Sequence, residues 1–298
     1  MDKPVRNIYS TLYERPTVEL KGYATRHELQ GQLLAYLNYG GSTGSAKDAL
    51  AEGMLALAVE KGLLKPGQPV VEASSGTFAV ALTVAAIHSG HPVYLVMQGT
   101  VSPERQEYFT QLGARVVLTN YVYGRSGTIQ RAEKLCEEKG GYFINYFSND
   151  DNPEFHRRVT GPAILKALDG DVAAVVAGVG SGGTITGVGE YLKAWAGNVW
   201  TVAVQPFESQ ALTGGFSGKH GIAGLGAGFL PDNYNPYIVD EVLSVTTGDA
   251  TTTAREVLTT DAIPASVSCG AVLHAARQVM QRRPGRVLCI FNGMTIYE

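Results

Sequence analysis

The sequence predicts an α/β fold with mainly parallel β-sheets, and three observations support this prediction. Between Val70 and Val204, short apolar segments alternate with helical segments of about ten or more residues, which is the pattern of βαβ units. The apolar segments are continuous rather than alternating, as in strands that helices cover on both faces. The chain has 298 residues, of which 45% are hydrophobic, and this is enough for two domains with separate cores.

Each strand is predicted where a short run of aliphatic, β-branched or aromatic residues ends in glycine, proline or polar residues. In chain order, these segments are 7–20, 33–37, 70–73, 93–97, 115–118, 142–146, 172–177, 200–204, 241–245 and 286–291. Helices are predicted between them, at 49–61, 78–88, 103–112, 128–139, 153–168, 184–196, 251–259 and 271–281. Pro153 suits the first position of its helix, because that position needs no backbone N–H donor. Segment 214–235 is rich in glycine, proline and asparagine, which predicts an ordered loop near a functional site.

Composition and charge exclude several classes of protein. The net charge is -3 and the basic residues are dispersed, so no nucleic-acid-binding surface is expected. The longest apolar stretch, 78–87, is too short to span a bilayer, and no apolar signal core follows Met1, so we expect a cytoplasmic protein. The three cysteines form no CxxC pair and the six histidines show no HxxxH spacing, so neither a disulfide framework nor a metal site is expected.

The segment Gly41–Leu50 contains the first candidate for chemistry. Glycine, serine and threonine residues lead to a single lysine, Lys47, at the point where a predicted helix begins. The positive end of a helix dipole disfavours an ammonium group, and the uncharged amine is the form that acts as a nucleophile. A surface lysine that follows an ordinary turn is the alternative explanation.

A second candidate, Gly178–Thr184, lies between a predicted strand and a predicted helix. Glycines allow backbone N–H groups to converge, and the helix N-terminus adds a positive potential, so this loop suits a phosphate group. Its GxGxxG spacing also matches the dinucleotide-binding motif, but no acidic residue follows at the end of the next strand, Ala203–Pro206. A purely structural glycine turn is a further alternative.

Two more junctions of the same kind follow predicted strands. Ser74–Phe78 offers N–H groups and hydroxyls to a carboxylate, although serine is also an ordinary helix N-cap. Ser268 provides a hydroxyl in a late Ser-Cys-Gly junction. Since open α/β sheets bind ligands at the carboxyl ends of their strands, we expect these loops and Lys47 to serve one ligand. A phosphate group together with an amine nucleophile indicates pyridoxal 5′-phosphate, bound as a Schiff base.

With these motifs, the chain resembles the cysteine synthase / cystathionine β-synthase family of pyridoxal-phosphate enzymes over nearly its whole length. Gly44–Asp48 resembles the family's G-S-x-K-D motif, and Gly180–Thr184 resembles its G-T-G-G-T phosphate loop. Segments 149–162 and 224–229 are similar to further family motifs. The resemblance implies fold type II, the tryptophan synthase β-like arrangement of two three-layer α/β domains. It also implies a smaller substrate-loop domain at 44–147, a larger cofactor-binding domain at 1–43 and 148–298, and a homodimer.

The resemblance also assigns roles to individual residues. It implies that Lys47 forms the Schiff base and acts as the base at Cα, and that Ser268 bonds the pyridine nitrogen without protonating it. The implied cofactor-binding residues are Lys47, Thr77, Gly180, Ser181, Gly182, Gly183, Thr184 and Ser268. The implied substrate-binding residues are Ser74, Ser75, Gly76, Thr77, Phe78, Tyr146 and Gly224. Three of these depart from the family pattern, since Thr77, Phe78 and Tyr146 stand where the family has asparagine, threonine and glutamine.

The implied reaction is replacement of the β-substituent of a cysteine- or serine-type amino acid through an α-aminoacrylate, with sulfide, a thiol or water as nucleophile. Cysteine synthesis, and conversion of cysteine to serine plus hydrogen sulfide, are both compatible with it. The alternatives are β-elimination to pyruvate and ammonia, and a non-catalytic homologue that binds the cofactor and acts as a regulatory partner. The retained Lys47 argues against the second. Asp232 is a candidate base for the nucleophile, and an ordinary turn residue after Pro231 is the alternative.

Overall fold

Two β-sheets organise residues 15–294, the part of the chain that this computed structural model describes. The larger sheet belongs to a unit of residues 15–40, 44–46 and 152–294, and the smaller sheet to a unit of residues 41–43 and 47–151. Helices alternate with the strands, and all strand pairs except one are parallel within the described residues. The predicted α/β class with mainly parallel sheets is therefore confirmed.

The regular elements are numbered in chain order. The strands are β1 (Thr17–Glu19), β2 (Gly31–Leu37), β3 (Val70–Glu72), β4 (Val93–Gln98), β5 (Arg115–Thr119), β6 (Tyr142–Phe143), β7 (Ala174–Gly178), β8 (Trp200–Pro206), β9 (Glu241–Val245) and β10 (Gly285–Phe291). The α-helices are α1 (Lys21–Arg26), α2 (Lys47–Glu60), α3 (Thr77–His88), α4 (Pro103–Gln111), α5 (Gly124–Lys139), α6 (Asp151–Phe155), α7 (Gly161–Ala167), α8 (Gly183–Trp195), α9 (Thr247–Asp261) and α10 (Val267–Arg282). Within residues 15–294, no helix is both long and apolar enough to cross a membrane.

The sheet of the larger unit has the strand order β1-β2-β10-β7-β8-β9, and only β1 runs antiparallel to its neighbour. Side chains of its central strands alternate between two apolar layers. Along β10, Val287 and Cys289 pack with residues of α9 and α10, whereas Leu288 and Ile290 pack with residues of α7 and α8. Because helices cover both faces, most positions of the central strands are apolar, which explains the apolar runs in the sequence.

The smaller unit has a parallel four-stranded sheet with the order β5-β4-β3-β6. Val71, Tyr94 and Val96 form an apolar cluster with Ala132 and Leu135 of α5. Helices α2 and α3 pack against each other, and most residues of both are buried. Strand β3 is held between β4 and β6, and the loop that follows it carries several of the predicted site residues.

Among the elements that differ from prediction are β1, β6 and α1. Of the predicted strand 7–20, residues 7–14 lie outside the described part of the chain, and Thr17–Glu19 forms β1. The predicted strand 142–146 ends after Phe143, and Asn145 adopts a left-handed φ of 51° that a strand does not accommodate. The sequence does not predict α1, since this helix has six residues and no side-chain N-cap bond.

The predicted helix 153–168 contains an irregularity that positions a buried histidine. A π-helical turn at His156–Thr160 joins α6 to α7. Pro162 has no backbone N–H, so the preceding turn lacks one of its usual donors, and a π-helical turn accommodates this with an extra residue. His156 lies in this turn and is 1% exposed.

Candidate active site

The glycine loop Gly178–Thr184 lies where the larger sheet changes its direction of strand addition. The next strand in sequence, β8, pairs with β7 on one side, whereas β10 pairs with β7 on the other. The loops that follow β7 and β10 therefore lie at the carboxyl ends of two neighbouring parallel strands beside this change of direction, which is where open α/β sheets bind ligands. Helix α8 begins at Gly183, and the first N–H groups of a helix have no intrahelical partner.

Only glycine fits at two central positions of this loop. Gly182 has a φ of 86°, and a Cβ on it would lie 2.7 Å from the backbone nitrogen of Tyr234. A Cβ on Gly183 would lie 1.8 Å from Oδ1 of Asn152. The neighbouring atoms therefore leave no space for a side chain at these two positions. A loop of this kind offers its backbone N–H groups to a phosphate.

Polar side chains from α6 and the π-helical turn hold the hydroxyl groups of the loop. Nδ2 of Asn152 donates to Oγ of Ser181 at 3.0 Å. Oγ1 of Thr184 lies 3.2 Å from Nε2 of His156, and Nδ1 of the same ring lies 2.9 Å from Oγ1 of Thr160. These contacts fix the orientation of two of the predicted phosphate-loop hydroxyls.

The loop 224–229 is bonded to the glycine loop. The N–H of Gly226 donates to the carbonyl of Val179 at 3.0 Å, and a Cβ on Gly180 would lie 2.3 Å from the carbonyl oxygen of Gly224. Further along, Asp232 lies in an exposed turn that the Tyr234 N–H closes by donating to the Pro231 carbonyl at 3.1 Å. The structure thus places Gly224 beside the glycine loop, and the role of Asp232 as a base stays a prediction.

The residues just before Lys47 are attached to the end of the larger sheet. Ser45 forms an antiparallel bridge with Gly293, directly beyond β10. The N–H of Ala46 donates to the carbonyl of Asn292 at 2.9 Å. Residues 44–46 therefore lie at the same strand end as the loop that follows β10.

The predicted pyridine-nitrogen partner, Ser268, lies in the first turn of α10. Its Oγ is 2.8 Å from Oγ of Ser266, which caps the helix by accepting a bond from the N–H of Cys269 at 3.3 Å. The N–H of Ser266 donates to the carbonyl of Gly293 at 3.1 Å. Ser268 and residues 44–46 are thus both fixed through Gly293.

Lys47 is the first residue of α2, and the loop before it is held by the neighbouring Asp48. The Asp48 carboxylate is 2% exposed and accepts bonds from the N–H of Thr43 at 3.1 Å and from Oγ1 of Thr43 at 2.7 Å. A carboxylate at this position also suits the positive end of the helix dipole. Asp48 therefore fixes the turn from which the lysine side chain extends.

The smaller sheet has its own change of direction, between β3 and β6. The chain adds β4 and β5 on one side of β3 and then returns to add β6 on the other. The loop Ala73–Gly76 follows β3, and Tyr146 follows β6, so both lie at the expected ligand-binding position of this sheet. Nε of Arg105 donates to the carbonyl of Ser75 at 2.9 Å and orients the loop.

Tyr146 connects the substrate loop to the lysine. Its ring stacks on Phe78, the second residue of α3, with a centroid separation of 4.0 Å and an interplanar angle of 17°. Nζ of Lys47 lies over the same ring, 5.3 Å from its centroid. The structure therefore brings together three of the predicted site residues, Lys47, Phe78 and Tyr146.

A buried carboxylate, Glu72, holds the segment that carries Tyr146. Glu72 ends β3 and is 2% exposed, and its Oε2 accepts a bond from the N–H of Tyr146 at 3.3 Å. Burial raises the pKa of Glu72 from 4.5 to about 7, although the N–H groups of Tyr146, Ala73 and Asn145 act in the opposite direction. Glu72 therefore changes charge near neutral pH.

Replacing Glu72 with glutamine is expected to reduce the loss of stability on going from acid to neutral pH. A raised folded-state pKa means that the stabilising contribution of Glu72 is fully present below pH 4.5 and is lost as the pH rises through about 7. Since one pKa unit corresponds to about 1.4 kcal/mol, this loss is about 3 kcal/mol. Urea denaturation of both proteins at several pH values from 4.5 to 8 measures it. Parallel stability curves for the two proteins would contradict the assignment.

Sequence reasoning did not single out Asp48, Glu72 or His156. Asp48 adjoins Lys47, and Glu72 directly ends an apolar strand, so a buried role for each carboxylate had a signal in the sequence. The sequence carried no signal for the position of His156, because this position depends on the π-helical turn.

The residues present fit pyridoxal 5′-phosphate. The glycine loop combines a fitted backbone, the N-terminus of α8 and the hydroxyls of Ser181 and Thr184, which is a set of donors that suits a phosphate. Lys47 supplies a primary amine for an aldehyde, and Ser268 supplies a neutral hydroxyl for a ring nitrogen.

Comparisons with known proteins agree with this fit. Residues 10–293 match the model of the family described as "Pyridoxal-phosphate dependent enzyme". The chain is similar to the cysteine synthase of Staphylococcus aureus strain Mu50, with 36% identity over 277 residues, 93% of this chain and 89% of the relative. It is also similar to cysteine synthase A of Escherichia coli K12, with 36% identity over 84% of this chain and 81% of the relative.

Solved structures give the same result for the fold. O-acetyl serine sulfhydrylase isoform 3 from Entamoeba histolytica matches with a TM-score of 0.90 and 33% identity, covering 99% of this chain and 91% of that one. O-ureido-L-serine synthase matches with a TM-score of 0.88 and 30% identity, covering 98% and 92%. The chain thus belongs to the family of pyridoxal-phosphate-dependent enzymes.

Proposed function

We propose that this protein catalyses β-replacement on a cysteine- or serine-type amino acid. In this proposal residues 44–147 carry the substrate loop, and residues 1–43 and 148–298 carry the phosphate site. The observation that carries the proposal is the contact of one ring, that of Tyr146, with both Lys47 and Phe78. It joins the amine to the loop that would hold the amino acid. The names of the similar cysteine synthases and sulfhydrylase point to the same class of reaction.

The glycine loop and Ser268 would hold the cofactor. The N–H groups of Gly183 and Thr184 and the hydroxyls of Ser181 and Thr184 would bind its phosphate, and Ser268 would bond its ring nitrogen. Thr77 would lie beside its 3′-oxygen. Bound pyridoxal phosphate supplies an electron sink that makes the Cα proton of an attached amino acid acidic.

Lys47 would first hold the cofactor covalently through its aldehyde carbon and then move a proton. With an amino acid bound, Nζ of Lys47 would take the proton from Cα, and X would leave Cβ with the bonding pair. A nucleophile, Nu–H, would then form a bond to Cβ and give up its proton, and Lys47 would return a proton to Cα. The sum is X–CH2–CH(NH3+)–COO− plus Nu–H giving Nu–CH2–CH(NH3+)–COO− plus H–X.

The loop Ser74–Thr77 would orient the amino acid by its carboxylate. Helix α3 begins at Thr77, and the positive end of a helix favours an anion. Phe78 and Tyr146 carry no side-chain amide, so backbone N–H groups and the hydroxyls of Ser74, Ser75 and Thr77 would be the donors that this loop offers to the carboxylate.

Product analysis tests this proposal and distinguishes its variants. The protein is incubated with cofactor and O-acetyl-L-serine plus sulfide, or with L-cysteine alone, and the products are identified by mass spectrometry. Cysteine from the first mixture, or serine and sulfide from the second, supports β-replacement and identifies the nucleophile. Formation of pyruvate and ammonia would contradict β-replacement and indicate β-elimination instead. No product from either amino acid, with cofactor bound, would contradict it and favour a cofactor-binding regulatory partner.

The proposed function comes with a proposed assembly and location, a homodimer in the cytoplasm. The resemblance to the cysteine synthase / cystathionine β-synthase family supports the homodimer, and three cysteines that are far apart in sequence, typical of reduced thiols, support the cytoplasm. Sedimentation at several protein concentrations tests the assembly, and a monomer at every concentration would contradict it.

A further inference from the structure

We propose that the ring of Tyr146 is a positioning device for Lys47, holding its ammonium group by the ring face while the side chain carries the Cα proton. This inference rests on the proposed function of Lys47 and goes beyond it, since it assigns a role to a residue that departs from the family pattern. Tyr146 touches the lysine, and it acts on the reaction through the lysine.

The geometry at Lys47 carries the proposal. Nζ lies 5.3 Å from the ring centroid of Tyr146, which is within the distance at which an aromatic face attracts a cation. Lys47 is half-buried and Tyr146 is 5% exposed, so water screens this attraction less than at an open surface. The glutamine of the family pattern would offer no such face.

The ring of Tyr146 also stacks on Phe78. The two rings stack at 4.0 Å with an interplanar angle of 17°, and Phe78 is 3% exposed. Phe147 packs edge-on against Tyr146, with a centroid separation of 4.9 Å and an angle of 71°. The two ring contacts and the burial of Tyr146 therefore restrict the rotation of its ring beside Lys47.

Glu72 fixes the backbone that carries the ring. Its carboxylate accepts the N–H of Tyr146, and the N–H of Asn145 also lowers its pKa. Asn145 has a φ of 51°, a left-handed conformation that non-glycine residues seldom adopt without support. The buried carboxylate therefore stabilises the turn that places Tyr146, and a turn of this kind is typical of functional sites.

Two variants of Tyr146 separate the ring from the hydroxyl. Tyr146→Leu removes the ring, and Tyr146→Phe keeps it. With L-alanine, which has no leaving group, Lys47 can only exchange the Cα proton with solvent, and NMR in D2O follows this step alone. We expect Tyr146→Leu to slow the exchange about tenfold and to lower kcat for β-replacement about tenfold with little change in KM. We expect Tyr146→Phe to restore both rates to within about threefold of wild type.

Visible circular dichroism of the bound cofactor provides a readout other than turnover. The band reports how rigidly Lys47 holds the chromophore, so we expect it to weaken in Tyr146→Leu and to return in Tyr146→Phe. Tyr94→Leu is the matched control, because Tyr94 is also buried in the smaller unit and carries the guanidinium of Arg115 over its ring at 5.2 Å. It should leave the band and the exchange rate unchanged.

Two results would overturn the proposal. The first is a Tyr146→Phe variant that exchanges the Cα proton as slowly as Tyr146→Leu, which would show that the hydroxyl and not the ring is required. The second is a Tyr146→Leu variant that exchanges the proton at the wild-type rate. If Tyr146→Leu does not fold, Phe78→Leu decides, since it removes the stacking partner and should slow exchange about threefold; an unchanged rate contradicts the proposal. A wild type that exchanges the proton of L-alanine but replaces no β-substituent contradicts only the proposed function.

Discussion

Replacing Lys47 with alanine is expected to lower kcat for β-replacement by about 100- to 10,000-fold, the usual contribution of a positioned acid–base group. The variant also loses the covalent attachment of the cofactor. Its bound cofactor should therefore dialyse away, and its visible absorption should resemble that of free pyridoxal phosphate. Absorption spectra before and after dialysis, together with steady-state rates, measure both effects.

An exposed lysine is the control for this substitution. Lys65→Ala removes the same charge from the smaller unit at a solvent-exposed position and should retain wild-type rates and spectrum. A Lys47→Ala variant that keeps the covalent absorption band after dialysis would show that another amine holds the cofactor.

Replacing Gly182 with alanine is expected to weaken cofactor binding at least about tenfold and to destabilise the fold by about 1–3 kcal/mol. The residue has a φ of 86°, and its new Cβ would lie 2.7 Å from the backbone nitrogen of Tyr234. The nearest atoms are N, Cα and Cβ of Tyr234, none of which is the end of a flexible side chain, so the backbone itself must shift. Titration of the apoprotein with pyridoxal phosphate and a thermal unfolding curve measure the two effects.

The variant Gly197→Ala separates the effect of the left-handed backbone from the effect of the close contact with Tyr234. Gly197 has a similar φ of 77°, but a Cβ there would meet nothing within 4 Å. The Gly197→Ala variant should lose only the free energy of unfolding that the left-handed backbone costs, about 1–2 kcal/mol, and it should bind the cofactor with normal affinity. Equal cofactor affinities for the two variants would show that the close packing of Gly182 has no part in the phosphate site.

The sequence predicts the fold class well because its signals are local. Largely apolar runs at 70–73, 93–97 and 200–204, with Glu72 and Thr201 as their polar members, reflect strands buried on both faces, and they correspond to β3, β4 and β8. The π-helical turn at His156–Thr160 is not predictable in this way, because it leaves the apolar periodicity of the segment largely intact. Element boundaries shift for a related reason, as at α9, which begins at Thr247 where Thr246 caps it, four residues before the predicted helix at 251.

Some features of the candidate site can likewise be predicted from the sequence, and others depend on the fold. Lys47, the glycine loop and Ser268 are recognisable from sequence, since lysine, glycine and serine at strand–helix junctions have few other roles together. The stacking of Phe78 on Tyr146, by contrast, depends on the strand order β5-β4-β3-β6. This order brings the loops after β3 and β6, which are distant in sequence, to the same end of the smaller sheet. The raised pKa of Glu72 depends on complete burial, which a single charged residue in the sequence does not reveal.

The most direct test of the central claim is the visible absorption spectrum of the purified protein, recorded before and after addition of O-acetyl-L-serine and, separately, L-cysteine. We expect the absorption band of a lysine-bound cofactor, which shifts with at least one amino acid and returns when a nucleophile such as sulfide is added. A band that neither amino acid moves would contradict β-replacement on a cysteine- or serine-type substrate. No band at all, even after incubation with pyridoxal phosphate, would show that Lys47 does not hold the cofactor.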